Sequence, residues 1–434
     1  MALVASASQF SAVAHVLGLT AAILVIVWVV HYGGGANLNS DNTDLIFNVH
    51  PLVMTLGFIL VIGEAIMAYN TVPSRKTVQK SIHMLLHLLA LGLGVLGIYA
   101  AFKFHNESQI PNLYTLHSWL GICTICLFGL QWIFGFFNFW FPGAPPMTRA
   151  MLVPLHATAG LAIFLMAICT AETGFMEKGG GGPGAETRLI NFAGLMILLF
   201  GLFVSLSTAL PRIISKNGGR YRMSATPAIV MAEIFAVAAI TLMLVSVLHF
   251  EGGLSLKAAN NRVRLFNAHL VFMLFGPIIS TGQAIMAFKT VPGTRKVRKI
   301  VHMLLNLLGI ILGALGLLAI FRFYKESGWS PNVHSLHSWT GLGVIGLYVI
   351  QFFLGFTFFL FPGAKKNMRT DMKPWHAFFG LTIFILAIFT SGTGLIQRFR
   401  FLLLLKGREA LLLNFTGIAI ILFGISVVLS VILP

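Results

Sequence analysis

The chain has 434 residues, 57% of them hydrophobic and only 9% charged, with a mean hydropathy of +0.89. Soluble domains carry about 25% charged residues, so this balance excludes a soluble globular protein. The net charge of +17 sits in short stretches between apolar runs, where Lys and Arg orient a chain and meet anionic lipid; no nucleic-acid partner is expected.

A bilayer core of about 30 Å takes about 20 residues of helix. Runs that meet this length are predicted near 11–31, 47–70, 82–102, 117–141, 153–175 and 189–210. A basic connector, "RIISKNGGRYR" from Arg212, follows, and six more runs come after it, near 227–249, 265–288, 301–321, 337–361, 373–395 and 410–433. No charged stretch precedes the first run, so a cleaved signal peptide is not expected. Cys123, Cys126 and Cys169 all fall inside apolar runs, and Leu127 stands where c-type haem attachment needs His. The C-x-x-C pair reads as packing, because its counterparts are Gly343 and Gly346.

The second six runs repeat the first. "FNVH" from Phe47 returns as "FNAH" from Phe266, and "TVPSRKTVQKSIHMLLHLL" from Thr71 as "TVPGTRKVRKIVHMLLNLL" from Thr290. "TLHSWLG" from Thr115 returns as "SLHSWTG" from Ser335. Six is even, so both units, 1–216 and 217–434, enter the membrane in the same direction. With a cytosolic N-terminus, the cytosolic loops of the first half and the connector carry Arg75, Lys76, Lys80, Arg149, Arg212, Lys216, Arg220 and Arg222. The other side of that half carries Lys103, Lys178 and Arg188, while the second half divides evenly. The first half therefore sets the expected orientation.

Eight histidines obey one rule. His50, His83, His117 and His156 each lie near the start of a span, and His269, His302, His337 and His376 repeat that placement. Helices alternate in direction, so His50 can face His117 at one membrane face and His83 can face His156 at the other. A single membrane histidine is ordinarily a polar group satisfied by a neighbour, but a paired and repeated set points to function. Two imidazoles from facing helices of a four-helix core suit the two axial positions of a haem, and with both filled the chemistry is electron transfer. Zinc would want more N or S ligands than cluster here. The fold class expected is an all-α integral membrane protein, about twelve transmembrane helices in two parallel six-helix repeats, each with a four-helix haem-binding core. It would hold haem b, two per unit and four per chain.

The spaced histidines, "LHSW" and the basic stretch before the third helix resemble the cytochrome b561 family of ascorbate-reducible transmembrane cytochromes. The resemblance covers nearly all of each half. It implies electron transfer from cytosolic ascorbate to monodehydroascorbate or ferric iron (a chelate) across the membrane, hence an ascorbate-dependent oxidoreductase. It also implies that Lys76, Lys80 and Arg149 bind ascorbate in the first unit, with Arg295, Lys299 and Arg369 at the same offsets in the second. Plain positive-inside anchoring is the competing reading of those cations. On the outer side it implies Asn112 and Tyr114, and Asn332 and His334, beside the outer haem, with His105 and Tyr324 beside the acceptor. Glu177 and Gln397, each 21 residues after the fifth-helix histidine, would reach the same haem. The family often has Arg after the tyrosine ending the second helix; here Asn70 follows Tyr69 and Lys289 follows Phe288. His87, whose counterpart is Asn306, reads as a polar packing group. The lipid bilayer is the standing partner, a homodimer is one assembly open to the chain, and a twelve-helix secondary transporter without haem is the rival reading.

Overall fold

The computed structural model describes residues 7–179, 184–214, 224–257, 262–328 and 333–433. Among them there is no β-strand, and twelve helices are long and apolar enough to cross a membrane. They are α1 Gln9–Tyr32, α2 Thr43–Thr71, α3 Lys76–Glu107, α4 Leu116–Trp140, α5 Pro146–Gly179 and α6 Ala185–Thr208, then α7 Thr226–Phe250, α8 Val263–Thr290, α9 Arg295–Glu326, α10 Leu336–Phe359, α11 Lys366–Phe401 and α12 Arg408–Ile432. The protein is an integral, multi-pass membrane protein. Its chain divides into two compact units, Met1–Gly219 and Arg220–Pro434; the expected boundary at 216/217, with the connector cations Lys216, Arg220 and Arg222, lies outside the described residues.

Each unit has the same plan. α2 packs on α3, α3 on α4, α4 on α5, and α5 closes back onto α2; α1 and α6 pair and lean against α2 and α5. In the second unit α8–α11 form the ring and α7 pairs with α12. Within a unit, the near face is the one at which its first helix begins, and the far face the one at which its second begins.

α6 approaches α2, and α12 approaches α8, closely because small residues line the contacts. A Cβ on Gly63 would lie 2.3 Å from the Phe200 ring, and one on Gly282 2.3 Å from Phe423. α2 carries a π-helical stretch at Val53–Leu60, directly after Pro51, and α8 one at Leu274–Ser280, around Pro277. Such stretches mark places where a helix has been re-aimed for a site. α3 and α5 run well past the apolar runs read from sequence, since their charged ends stay helical beyond the hydrocarbon-crossing part.

One sequence reading changes. Cys123 and Cys126 are exposed on the outward surface of α4 and do not pack in the core; Cys169 alone is buried. The ammonium of Lys289, the residue after Phe288, donates to the carbonyls of Ser430 (2.7 Å) and Leu433, capping the end of α12.

Candidate haem sites

The histidines meet in four pairs. At the far face the ring centroids of His50 and His117 lie 6.0 Å apart and those of His269 and His337 6.2 Å. At the near face His83 and His156 are 6.3 Å apart, His302 and His376 6.2 Å. Two metal–imidazole bonds of about 2.0–2.1 Å each, with the distance from nitrogen to ring centre added at both ends, put the centroids about 6 Å apart. The pairs therefore have the span of a bis-imidazole site. The interplanar angles also repeat, 90° and 89° for the far pairs and 70° and 69° for the near ones.

The tautomer is fixed by the neighbours. Nδ1 of His50 donates to the carbonyl of Gly97 (2.9 Å), of His83 to Ala65 (2.8 Å) and of His117 to Thr170 (2.9 Å). His269, His302 and His337 repeat this with Gly316 (3.0 Å), Ala284 (2.8 Å) and Thr390 (3.0 Å). A carbonyl can only accept, so the proton sits on Nδ1 and Nε2 keeps its lone pair, as a metal ligand needs; at His302 the Asn306 amide nitrogen lies 3.4 Å from that atom. Each acceptor is a helix carbonyl using its second lone pair. His156 and His376 differ. Gln131 and Gln351 donate through Nε2 to the backbone carbonyls of these histidines (2.7 Å each), and the same amide nitrogen lies 2.9 Å from Nδ1. Turning that amide over would set its oxygen against the same backbone carbonyl, so the nitrogen stays where it is and Nδ1 is the atom that accepts.

Glycines seat four of the rings. A Cβ on Gly174 or Gly394 would lie 2.7 Å from Cε1 of His117 or His337, and one on Gly135 or Gly355 3.0 or 2.7 Å from His156 or His376. Sequence reasoning missed them, although Gly174 and Gly394 each follow the fifth-helix histidine by 18 residues. It also missed what the rest of "LHSW" does. Thr115 and Ser335 cap α4 and α10 by accepting from the backbone N–H of Ser118 and Ser338 (3.4 and 3.2 Å). The indole N–H of Trp119 and Trp339 pins the preceding stretch at the carbonyls of Leu113 and Val333 (2.8 Å each). The motif is a helix start held rigid so that its histidine points inward.

In the second unit the pairs open into cavities. Both are open-sided; one is lined by His302, His376, Lys299, Gly355 and Phe359, and the other by His269, His337, Phe266, Tyr324, Gly394 and Gln397. No group of three or more His, Cys, Asp or Glu capable of holding a bare metal ion occurs among the described residues. Pairs without a third ligand fit a haem, whose ring supplies the remaining donors.

The other predicted residues fall as follows. Lys80 lies 5.5 Å over the Trp140 ring and within electrostatic reach of Arg149; Lys299 lies within reach of Arg295 and Arg369 and donates to the carbonyl of Phe359 (3.3 Å). Lys76 stands exposed one turn before Lys80. His105 and Tyr114 come together, ring centroids 6.2 Å apart. Tyr324 and Gln397 share the far cavity of the second unit. Asn112 ties its loop to Asn106 (2.9 Å), His334 is exposed beside Val333, Glu177 is half-buried near the end of α5, and Asn332 lies outside the described residues. Tyr69 and Phe288 each sit 5.4 Å, ring centre to ring centre, from the near-face histidines His83 and His302. His87 is half-buried, with Nδ1 turned inside, and edge-on to His83 at 4.4 Å; in its place Asn306 meets the hydroxyl of Tyr348 (3.0 Å), which accepts from Thr281 (2.8 Å).

The family model for eukaryotic cytochrome b561 matches residues 49–180 and matches again at 268–402. The chain belongs to that family. As a cytochrome b561 it takes haem b. A probable ascorbate-specific transmembrane electron transporter of Oryza sativa subsp. japonica is 48% identical over 219 residues, 49% of this chain and 94% of the rice protein. A transmembrane ascorbate ferrireductase of Arabidopsis thaliana is 47% identical over 216 residues, 48% of this chain and 90% of its own length. A lysosomal membrane ascorbate-dependent ferrireductase of Bos taurus is 37% identical over 201 residues, 43% of this chain and 75% of the bovine protein. Each relative thus spans about one unit, and this cytochrome b561 carries two.

Proposed function

We propose that the protein is an ascorbate-dependent transmembrane oxidoreductase with four haems, each unit taking electrons from cytosolic ascorbate at its near face and delivering them to monodehydroascorbate or ferric iron at its far face. The observation that carries this is the fourfold recurrence of a histidine pair with ring centroids about 6 Å apart, six of the eight rings donating from Nδ1 to a backbone carbonyl. The pairs that would hold the haems are His50 with His117, His83 with His156, His269 with His337, and His302 with His376. When bound, the haems supply one-electron carriers near the two faces.

The protein's own residues do the rest. Carbonyl acceptors on α2, α3, α5 and their repeats hold six of the eight imidazoles in one tautomer, and glycines fix the position of four rings. His50 donates to Gly97 and His83 to Ala65, so the two sites of a unit are separated by 14–15 residues of helix, about 21 Å at 1.5 Å per residue. At the near face Lys76, Lys80 and Arg149, with Arg295, Lys299 and Arg369 in the second unit, surround the histidines with positive charge and attract the ascorbate monoanion. Ascorbate gives up one electron there and releases one proton to the cytosol. At the far face His105 and Tyr114 flank the acceptor in the first unit and Tyr324 does so in the second. The named activities of the rice, Arabidopsis and bovine relatives support this reading and lend none to a haem-free transporter.

Pyridine haemochrome titration tests the stoichiometry, with four haems per chain expected; two would mean that one unit has lost its cofactors. Sealed vesicles loaded with ascorbate test the vectorial reaction. A haem spectrum that ascorbate leaves oxidised would sink the donor assignment.

A further inference from the structure

The far faces differ in the setting of one cation, and the second unit's carries further exposed ones, among them Arg262, Arg264, Lys325 and Arg400. Near the end of α5 in the first unit, Lys178 is exposed and its ammonium lies 4.9 Å over the Phe47 ring. Phe47 is 6.3 Å from His50 and 5.0 Å from Phe104, which is 5.6 Å from His105. Lys178 thus joins the surface already formed by His105 and Tyr114. Lys103 at the same face pairs with Glu107 (3.7 Å) and donates to the carbonyl of Leu38 (2.8 Å). No carboxylate pairs with Lys178 among the described residues.

In the second unit the same position is Arg398, 4.7 Å over the Phe266 ring, and it is fully buried. It forms an ion pair with buried Glu251 and donates to Asn267 Oδ1 (2.9 Å). Glu251 occupies the register of Gly33, so the first unit has no such acid. Phe401 stacks on Phe266 at 5.4 Å and 6°, leaving Phe266 8% exposed, whereas Phe47 is half-buried. Gly179 to Gly182 follow Lys178 in the sequence where Phe399 to Phe401 follow Arg398.

An exposed ammonium beside a site raises the local concentration of anions, while a buried pair presents no net charge. We propose that Lys178 makes the far face of the first unit an anion-selective exit for electrons, taking a negatively charged one-electron acceptor, and that its counterpart Arg398, neutralised by Glu251, plays no such part in the second unit. This rests on the reading that electrons leave at the far face. The balance is simple: ascorbate loses one electron and one proton at the near face. A ferric chelate gains that electron to become ferrous, or monodehydroascorbate gains it and takes up a proton to become ascorbate.

The test uses the full chain in sealed vesicles with ascorbate inside. External acceptors are ferricyanide (a trianion), ferric citrate, monodehydroascorbate generated in place, and the cation tris(phenanthroline)cobalt(III). Lys178→Gln should raise KM for the anionic acceptors about three- to tenfold, the low end of electrostatic steering effects, with kcat held and the cationic acceptor unaffected. Lys178→Arg should restore the wild-type value. The double variant Glu251→Gln with Arg398→Gln, which removes the buried pair together, should leave every KM as it was. Comparing ferric citrate with monodehydroascorbate identifies which anion depends more on Lys178. The proposal is overturned if Lys178→Gln leaves KM for anions unchanged, changes anionic and cationic acceptors alike, or is matched by the double variant. Vesicles reduced by dithionite and reoxidised by the same acceptors measure the anion preference without ascorbate. A failed ascorbate reaction with the preference intact would therefore count against the donor assignment alone.

Discussion

Gly174→Ala should cost the first unit its far-face haem. The new Cβ would stand 2.7 Å from Cε1 of His117, where ordinary contacts are 3.4–4 Å. The ring would have to retreat by about 0.7 Å or more, against a tolerance of about 0.2 Å in a metal–ligand bond. It cannot retreat freely, because Nδ1 is held by the Thr170 carbonyl at 2.9 Å on the same helix as the new methyl. Overpacking of this kind costs about 1–3 kcal/mol, and loss of the hydrogen bond behind a ligand lowers metal affinity about 10–100-fold. Gly121→Ala, whose Cβ would meet Thr170 Cγ2 at an ordinary 3.5 Å, and Gly343→Ala, with nothing within 4 Å, are the controls. Haem per chain should fall from four to three in Gly174→Ala and stay at four in both controls. A full complement with an unchanged reduced-minus-oxidised spectrum in Gly174→Ala would show that His117 is not seated against α5 as a ligand.

Gln131→Leu should leave the His156 Nδ1 without a partner and make the near-face haem of the first unit dissociate about 10–100-fold more readily, read by haem transfer to an apoprotein acceptor; an unchanged off-rate would make the glutamine a packing residue. Breaking the Glu251–Arg398 pair with Glu251→Gln alone should destabilise the protein by about 3–5 kcal/mol, since a buried charge is left uncompensated, while the double variant with Arg398→Gln should lose less. Thermal unfolding in detergent distinguishes them, and equal losses would mean the pair is not buried. Reduction by ascorbate should slow as salt rises, because exposed charges are screened over roughly 8 Å at physiological ionic strength; stopped-flow absorbance that is flat with salt would make Lys76, Lys80 and Arg149 topological anchors only.

The histidine frame was legible because it is written in spacing. Positions at the starts of successive spans, repeated once, constrain which residues can meet across a bundle whose helices alternate in direction. What decides the tautomer was not legible. The acceptors are backbone carbonyls of Gly97, Ala65 and Thr170, identities that any residue type supplies and that only helix packing brings to a ring. The Glu251–Arg398 pair joins residues 147 positions apart, and neither stands in a motif. Hydropathy gave the membrane-crossing part of α3 and α5 but not their ends, because Lys76 and Lys103 continue a helix perfectly well once outside the hydrocarbon.

Having two copies in one chain shows which charges serve topology and which serve a site. By count, the second unit has the richer near face, with Lys289, Arg295, Lys296, Arg298 and Lys299 before His302 against Arg75, Lys76 and Lys80 before His83. By geometry the advantage shrinks. Lys289 caps the carbonyls at the end of α12, where the helix dipole leaves partial negative charge that offsets it. Arg298 is turned to the carbonyls of Val291 (3.0 Å) and Phe288 (3.3 Å), bracing the connection between α8 and α9. Arg295, Lys299 and Arg369 stand at the same register as Lys76, Lys80 and Arg149, while exposed Lys296, Lys365, Lys366 and Lys373 have no cationic counterparts in the first unit. The near faces therefore share one trio, with more positive charge around it in the second unit. At the far faces, where one cation is exposed and its counterpart is buried against a carboxylate, the duplication has produced two different surfaces.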